Sequence, residues 1–396
     1  MSTPDLKILF IGHDATRTGA PKLLFNLLSY AKERKKSTIR ILLRNSGPLA
    51  GEFRQIAPTK TYFIQGRTQA LTNLLRLNRL AQSFRIKILL RQYKKEKFDL
   101  IYSNTIVNGD VLQALSELNC PVVTHVHELG TIIDSFGEEN WELVKQHTDH
   151  FIAGSNAVQE HLVSGRGVAR EKIDVVHEFV PAFPEISIPD SRNEIRNRLG
   201  IPLNAFLVCG SGVCEHRKGT DLFVRLAERM QGRNGAADIY FLWVGGWPRI
   251  PKGRPDLEDF LDRKGLRGRV FFTGEVEDPL DYYAAADVFT LVSREDPFPL
   301  VCLLAASVGK PVLCFDKAGG MPEFVGDDCG YVVPYLDLEA FAERIFYLID
   351  NPEELHRLGS AAREKVRRGY DTAVGAERIF RIIDKVLSDP NRGKPV

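Results

Sequence analysis

Four short stretches of this 396-residue chain carry side chains whose types and spacing suit work on anions and hydroxyls. One is Ser211-Gly212-Val213-Cys214-Glu215-His216-Arg217-Lys218-Gly219-Thr220-Asp221. A glycine turn followed by Arg-Lys-Gly ahead of a helix gathers backbone amides, a guanidinium and an ammonium, which are the parts of a diphosphate cradle. The spacing is not that of a phosphate loop, and the dinucleotide glycine fingerprint is missing. The second stretch, Ser293-Arg294-Glu295-Asp296-Pro297-Phe298-Pro299-Leu300, puts two acids between an apolar run and an apolar helix. The third is Thr124-His125-Val126-His127-Glu128, where alternation along a strand points both imidazoles the same way. A fourth loop, Gly12 to Pro21, leads through Gly19 into a helix whose N-terminus suits an anion. Each stretch also has a plainer account, as an ordinary βα connection or as structural histidines.

These residues need elements to position them. Short apolar runs, the mark of parallel strands buried on both faces, recur along the chain. One series is Ile8–Ile11, Thr38–Leu43, Leu100–Ser103, Val122–His125, Phe151–Ala153 and Ile173–Val176. A second is Phe206–Gly210, Tyr240–Val244, Val270–Phe272, Val288–Leu291 and Pro311–Phe315. Helical patterns such as Lys22–Arg34, Asp110–Glu117, Thr220–Met230 and Leu338–Leu348 fill the gaps. Repeated βα units predict an α/β architecture of two doubly wound, Rossmann-like sheets. Between the series, residues 179–190 hold three prolines, which neither a helix interior nor a central strand accepts. The expected division is 1–180 for a first domain, 181–190 for a linker, 191–371 for a second domain and 372–396 for a last helix and tail. In open α/β sheets ligands bind beyond the carboxyl ends of the strands, so a cleft between the domains is the expected ligand site.

Composition narrows the class. With 44% apolar and 26% charged residues the chain reads as globular, and no apolar run reaches the length of a membrane span. The N-terminus reads as a strand and turn rather than a leader, so a cytoplasmic location is expected. Of six cysteines only Cys209 and Cys214 are spaced as a zinc clip, and no second pair completes it. Reduced core thiols and no metal are expected. The net charge of +2 conceals an asymmetry, since residues 1–100 carry 20 Lys and Arg against 6 Asp and Glu. Nine of those basic residues lie in 67–97 with leucines between them. That pattern suits a solvated amphipathic helix or one lying on an anionic membrane, whereas sparse aromatics argue against nucleic acid.

Continued through Leu300-Val301-Cys302-Leu303-Leu304-Ala305-Ala306, Gly309-Lys310-Pro311-Val312 and Gly319-Gly320-Met321-Pro322-Glu323, the acidic stretch resembles the retaining family 4 glycosyltransferases of GT-B fold. Gly19-Ala20, Ser155-Asn156-Ala157-Val158, Lys218-Gly219, Val244-Gly245-Gly246 and Tyr282 to Val288 extend the resemblance over most of the chain. It implies two Rossmann-like domains facing across a cleft, the first for the acceptor and the second for a nucleotide-sugar donor. Lys218 would neutralise the diphosphate, and His127 would face the donor sugar. Asp296 would take the first acid's place beside the sugar hydroxyls. Gly19 would approach phosphate and acceptor, and Gly319, Gly320 and Glu323 would shape the donor pocket. Gly212, Arg217, Glu295, Phe298 and Leu300 complete the expected donor contacts. The implied reaction is a front-face displacement that needs neither protein nucleophile nor metal or other cofactor, with a glycan, lipid-linked or other acceptor and a place in polysaccharide biosynthesis.

The chain departs from the family pattern at three points. Leu304 stands where the second acid of the pair belongs, Val213 stands where an arginine usually precedes the lysine, and Pro297 and Pro299 replace two glycines. Leucine cannot bond ribose hydroxyls, and proline has no N–H to offer. Two other accounts therefore stand beside the enzyme: a glycosyltransferase-like protein that binds without turnover, and a dehydrogenase on the same sheet type, against which the missing fingerprint counts.

Overall fold

The computed structural model describes residues 6–35, 37–62, 77–181, 188–231, 238–248 and 254–389. They form two compact units, Met1–Glu178 with Thr372–Val396, and Phe179–Asp371. The first holds an all-parallel seven-stranded sheet of β1 (Leu6–Gly12), β2 (Ser37–Leu43), β3 (Thr59–Thr61), β4 (Leu100–Ser103), β5 (Val122–Val126), β6 (His150–Ala153) and β7 (Ile173–Val175). Their order is 3-2-1-4-5-6-7. The second holds β8 (Phe206–Ser211), β9 (Ile239–Val244), β10 (Val270–Phe272), β11 (Val288–Leu291), β12 (Val312–Phe315) and β13 (Gly330–Val333), in the order 10-9-8-11-12-13. Both orders reverse direction beside the first strand of their unit, at β1/β4 and at β8/β11, the switch points where α/β sheets take ligands.

The central strands are buried along their length, which is why their sequences are continuous apolar runs. The two strands that the apolar runs do not foretell, β3 and β13, lie at sheet edges. Thr59-Lys60-Thr61 is half-exposed, and β13 also carries exposed Val332. An edge strand has one neighbour and needs little apolar surface. The unit boundary falls before the expected linker, because Val180 already belongs to the second unit. Its N–H donates to Tyr370 O at 3.0 Å. Most of the linker, 182–187, lies outside the described residues, and the helix Ile188–Leu199 begins within the rest, with Pro189 in its first turn, where a missing N–H costs nothing.

The last helix, Thr372–Ser388, returns to the first unit and packs on the helix Gly19–Arg34. Ala376, Ile379, Phe380 and Ile383 are buried. Glu377 accepts from Tyr30 Oη at 2.5 Å and from Lys35 Nζ at 3.0 Å, and Lys385 reaches Asp174 at 2.7 Å.

In the second unit one fully buried arginine ties the helix Ile188–Leu199 to the sheet. Arg196 donates to the carbonyls of Ala285 and Ala205, at 3.0 and 2.7 Å, and to Asp287 Oδ2 at 2.8 Å. Asp287 also accepts from the Leu207 N–H at 2.7 Å. Asp287 has a second guanidinium, Arg192, on Oδ1 at 2.8 Å. Arg196→Met is expected to lower stability by about 1–3 kcal/mol, read from chemical denaturation, because it leaves the buried Ala285 and Ala205 carbonyls without this donor while Asp287 keeps Arg192 and the Leu207 N–H.

Candidate active site

In the second unit three loops leave the carboxyl ends of β8, β11 and β12 and are laced together by their backbones. Arg294 N donates to Arg217 O at 2.8 Å, Asp296 N to Ala318 O at 2.7 Å and Gly320 N to Pro297 O at 2.9 Å. Two glycines make the close approaches. Gly219 has φ +75°, and a Cβ there would meet Val292 O at 1.9 Å. Gly319 has φ +140°, and its Cβ would meet Asp296 O at 1.8 Å. Any side chain would drive these loops apart. Of the two glycines expected in that turn, Gly319 makes the close approach, while Gly320 has φ −86° and caps the short helix that carries half-buried Glu323.

Side chains reinforce the lacing. Arg217 Nη1 donates to Glu295 O at 3.0 Å, and Arg217 pairs with Glu215 at 3.1 Å. Arg294 forks onto both oxygens of Asp221 at 2.8 and 2.7 Å. Burial raises the Asp221 pKa, yet the Arg294 hydrogen bonds outweigh it and hold the carboxyl below its usual range. At the centre, Lys218 Nζ donates to Asp296 Oδ2 at 2.6 Å, and Ser293 Oγ donates to the same oxygen at 3.1 Å. Asp296 is 4% exposed. Gly212, at φ +144°, lies against the stem of Lys218. The structure thus brings together Gly212, Arg217, Lys218, Glu295, Asp296 and Gly320. Phe298 and Leu300 fall elsewhere. Phe298 is buried and stacked on Tyr370 with centroids 5.9 Å apart, and Leu300 is half-buried against the core. Both side chains are thus engaged in core packing. Leu304 packs against the same core.

A cavity of about 310 Å³ in the same unit is lined by Cys214, His216, Thr220, Trp247 and Phe260 among others, and by none of the expected donor residues. Burial raises the thiols of Cys209, Cys302 and Cys314, so none of these is a ready nucleophile.

In the first unit the loop after β1 is held by Asp14, which accepts from Thr16 N and Oγ1 at 3.0 and 2.8 Å. No atom would crowd a Cβ on Gly19, so the helix N-terminus there is open to an incoming group. At the end of β5, His127 bonds Glu178 through Nδ1 at 2.6 Å and Asn104 through Nε2 at 3.1 Å. His125 bonds Tyr102 Oη at 2.6 Å. The sequence reading missed Asn104 and Glu178, which follow β4 and β7. A polar residue just past a buried strand is the signal that marks them. Donor atoms of His125, His127 and Glu178 lie within 4.8 Å of one another, close enough for a metal ion. Both ring nitrogens of His127 are already committed to protein partners, which disfavours metal there.

The role expected of Lys218 is to give its ammonium to a diphosphate. Lys218→Ala is expected to weaken nucleoside diphosphate binding by about 10- to 100-fold in calorimetry, from loss of about 1.5–3 kcal/mol of charge-assisted hydrogen bonding. Unchanged affinity for the best-binding nucleotide would move the phosphate site elsewhere.

Comparison with known proteins follows the same division. The family model for glycosyl transferases group 1 matches residues 191–365, and that for glycosyltransferase family 4 matches 19–182. The chain is 26% identical over 320 residues to D-inositol 3-phosphate glycosyltransferase 1 of Catenulispora acidiphila, covering 75% of this chain and 74% of that protein. It is 31% identical over 302 residues to the D-inositol 3-phosphate glycosyltransferase of Streptomyces avermitilis, covering 70% and 64%. The crystal structure of Anabaena HepE in complex with UDP and glucose superposes with a TM-score of 0.81 at 22% identity, covering 96% of this chain and 100% of that one. The paired Rossmann-like sheets are those of the GT-B class. With one family model on each unit, together spanning most of its length, the chain belongs to the family 4, group 1 glycosyltransferases.

Proposed function

We propose that this protein moves a sugar from a nucleoside-diphosphate sugar to an anionic acceptor with retention of anomeric configuration. The observation that carries the reading is the Lys218–Asp296 pair set among three loops at the switch point of the second sheet. The pair offers an ammonium for a diphosphate and a carboxylate for sugar hydroxyls. As the bond from the anomeric carbon to the diphosphate oxygen breaks, negative charge grows on the leaving group. Lys218, Arg217 and the amides before the helix Thr220–Arg229 are preorganised to stabilise it. The acceptor oxygen bonds to the same face of that carbon, and its proton passes to the departing phosphate. The first unit would bind the acceptor and supply His127 to the donor sugar. The names of the curated relatives point to a phosphorylated acceptor. The basic balance of residues 1–100 suits such an anion.

The test is a panel of nucleotide sugars scored for nucleoside diphosphate release, with the anomeric configuration of the product read by NMR. Release from none, with tight binding of one, would favour the second account, a protein that binds without turnover. Leu304 favours that account, since apolar packing occupies the place of the family's second acid.

Asp296→Ala is expected to reduce transfer at least ~100-fold, the scale of losing one preorganised transition-state contact. Nucleoside diphosphate affinity should persist, because the change releases Lys218 from its internal partner. Near-normal turnover would pass the role to Glu295.

No helix among the described residues is long and apolar enough to cross a membrane. Surface contact is a separate matter. In the helix Leu77–Glu96, Arg91, Lys94 and Lys95 are exposed, although Lys94 pairs with Glu117 at 2.5 Å. The rest of the basic stretch, 67–76, lies outside the described residues. We propose peripheral binding to anionic lipid through 67–97, each basic residue near the surface contributing about 1 kcal/mol. Co-sedimentation with anionic but not neutral vesicles, lost at high salt, is the expected outcome. No sedimentation would leave the stretch as a solvated face.

A further inference from the structure

The His127 ring is gripped from two sides by groups that can only accept. On one side stands the Glu178 carboxylate, 2.6 Å from Nδ1. On the other stands Asn104 Oδ1, 3.1 Å from Nε2. The Asn104 amide cannot turn over, because its Nδ2 donates to Ala20 O at 2.8 Å. A carbonyl oxygen therefore faces the ring, and Nε2 must carry hydrogen. The carboxylate asks the same of Nδ1. An imidazole with hydrogen on both nitrogens is an imidazolium.

The other neighbours agree. Glu128 accepts from His127 N at 2.9 Å and from the Thr105 hydroxyl. His125 lies against the ring with centroids 4.0 Å apart, bonded to Tyr102 Oη, and among the described residues its Nε2 has no partner. Two imidazoles so close cannot both hold charge. Burial pushes the His125 pKa well down and the neighbouring His127 adds to it, so His125 is the neutral member. Burial also lowers the His127 pKa, but Glu178 and then Glu128 outweigh it, and the net shift is upward. Among the described residues no lysine or arginine bonds to any member of this cluster. Glu178 is 5% exposed, so water screens its pull on the ring little.

We propose that Glu178 is a positioning residue: with Asn104 it fixes the orientation of His127 and keeps it a donor at both ring nitrogens. The inference rests on the glycosyl-transfer reading, in which His127 meets the donor sugar. With both N–H groups given to Glu178 and Asn104, the ring acts on the donor through its positive charge alone and cannot serve as a base. Since the folded-state pKa is raised, the charge is present below it and is lost as pH rises through it. Activity should therefore fall on the alkaline side, and the acid side should owe nothing to His127.

The experiment pairs two readouts on wild type, Glu178→Gln and Glu178→Asp. Nitrogen-15 NMR of the histidine side chains gives the charge on His127 whether or not the protein turns over. The pH profiles of kcat and kcat/KM give its use. The expected result is a protonated His127 at neutral pH in wild type. In Glu178→Gln the alkaline limb of kcat should move to lower pH by about one unit or more, with KM for the donor little changed. Glu178→Asp should restore the limb's position even if the rate stays lower. A neutral His127 in wild type, or an unmoved limb in Glu178→Gln, would overturn the proposal. Wild type that transfers no sugar from any donor would overturn the transfer reading and with it any catalytic use of the clamp, while the NMR spectrum would still show whether Glu178 holds the charge.

Discussion

Two backbones cannot approach within touching distance where a Cβ stands between them, and the second unit depends on two places where none does. Gly219 lies against the carbonyl of Val292, and Gly319 against that of Asp296. These approaches let the connections after β8, β11 and β12 bond to one another rather than to water. The exchange puts the Lys218 ammonium beside the Asp296 carboxylate with little freedom left to either. Arg217 and Arg294 add to the same lacing from the surface side. A site built this way meets its ligand with the ordering cost already met during folding. On the proposed reading a diphosphate would share the ammonium with Asp296, an internal competitor.

The parts of the fold legible in the sequence are those where burial leaves one solution. β4, β8 and β11 lie at the middle of their sheets, and their apolar runs match their extents closely, while the run Ile8–Ile11 marks only the buried centre of β1. β3 and β13 were not legible, because an edge strand such as Thr59-Lys60-Thr61 carries no pattern that separates it from a loop. The candidate site divides in a similar way. Lys218 and Asp296 stand out by type and by position at strand ends, although they are 78 residues apart. Phe298 and Leu300 were placed by motif position, which says where the backbone runs and not which way a side chain turns. Asn104 and Glu178 were missed because each is a single polar residue after an apolar run. Their meaning comes only when the parallel order of β4, β5 and β7 brings three strand ends to one edge.

The first unit is discontinuous in the chain, closed by a helix that begins at Thr372. Ile379, Phe380 and Ile383 bury their side chains there. During synthesis the chain emerges from its N-terminus, and domains fold as their residues become available. The second unit has all its residues before the first does. Until the final helix emerges, the apolar flank of the helix Gly19–Arg34 lacks its cover. Of the two units, the one that begins first is thus the later to be finished, and a chain cut before Thr372 would carry an intact second unit tethered to an incomplete first one.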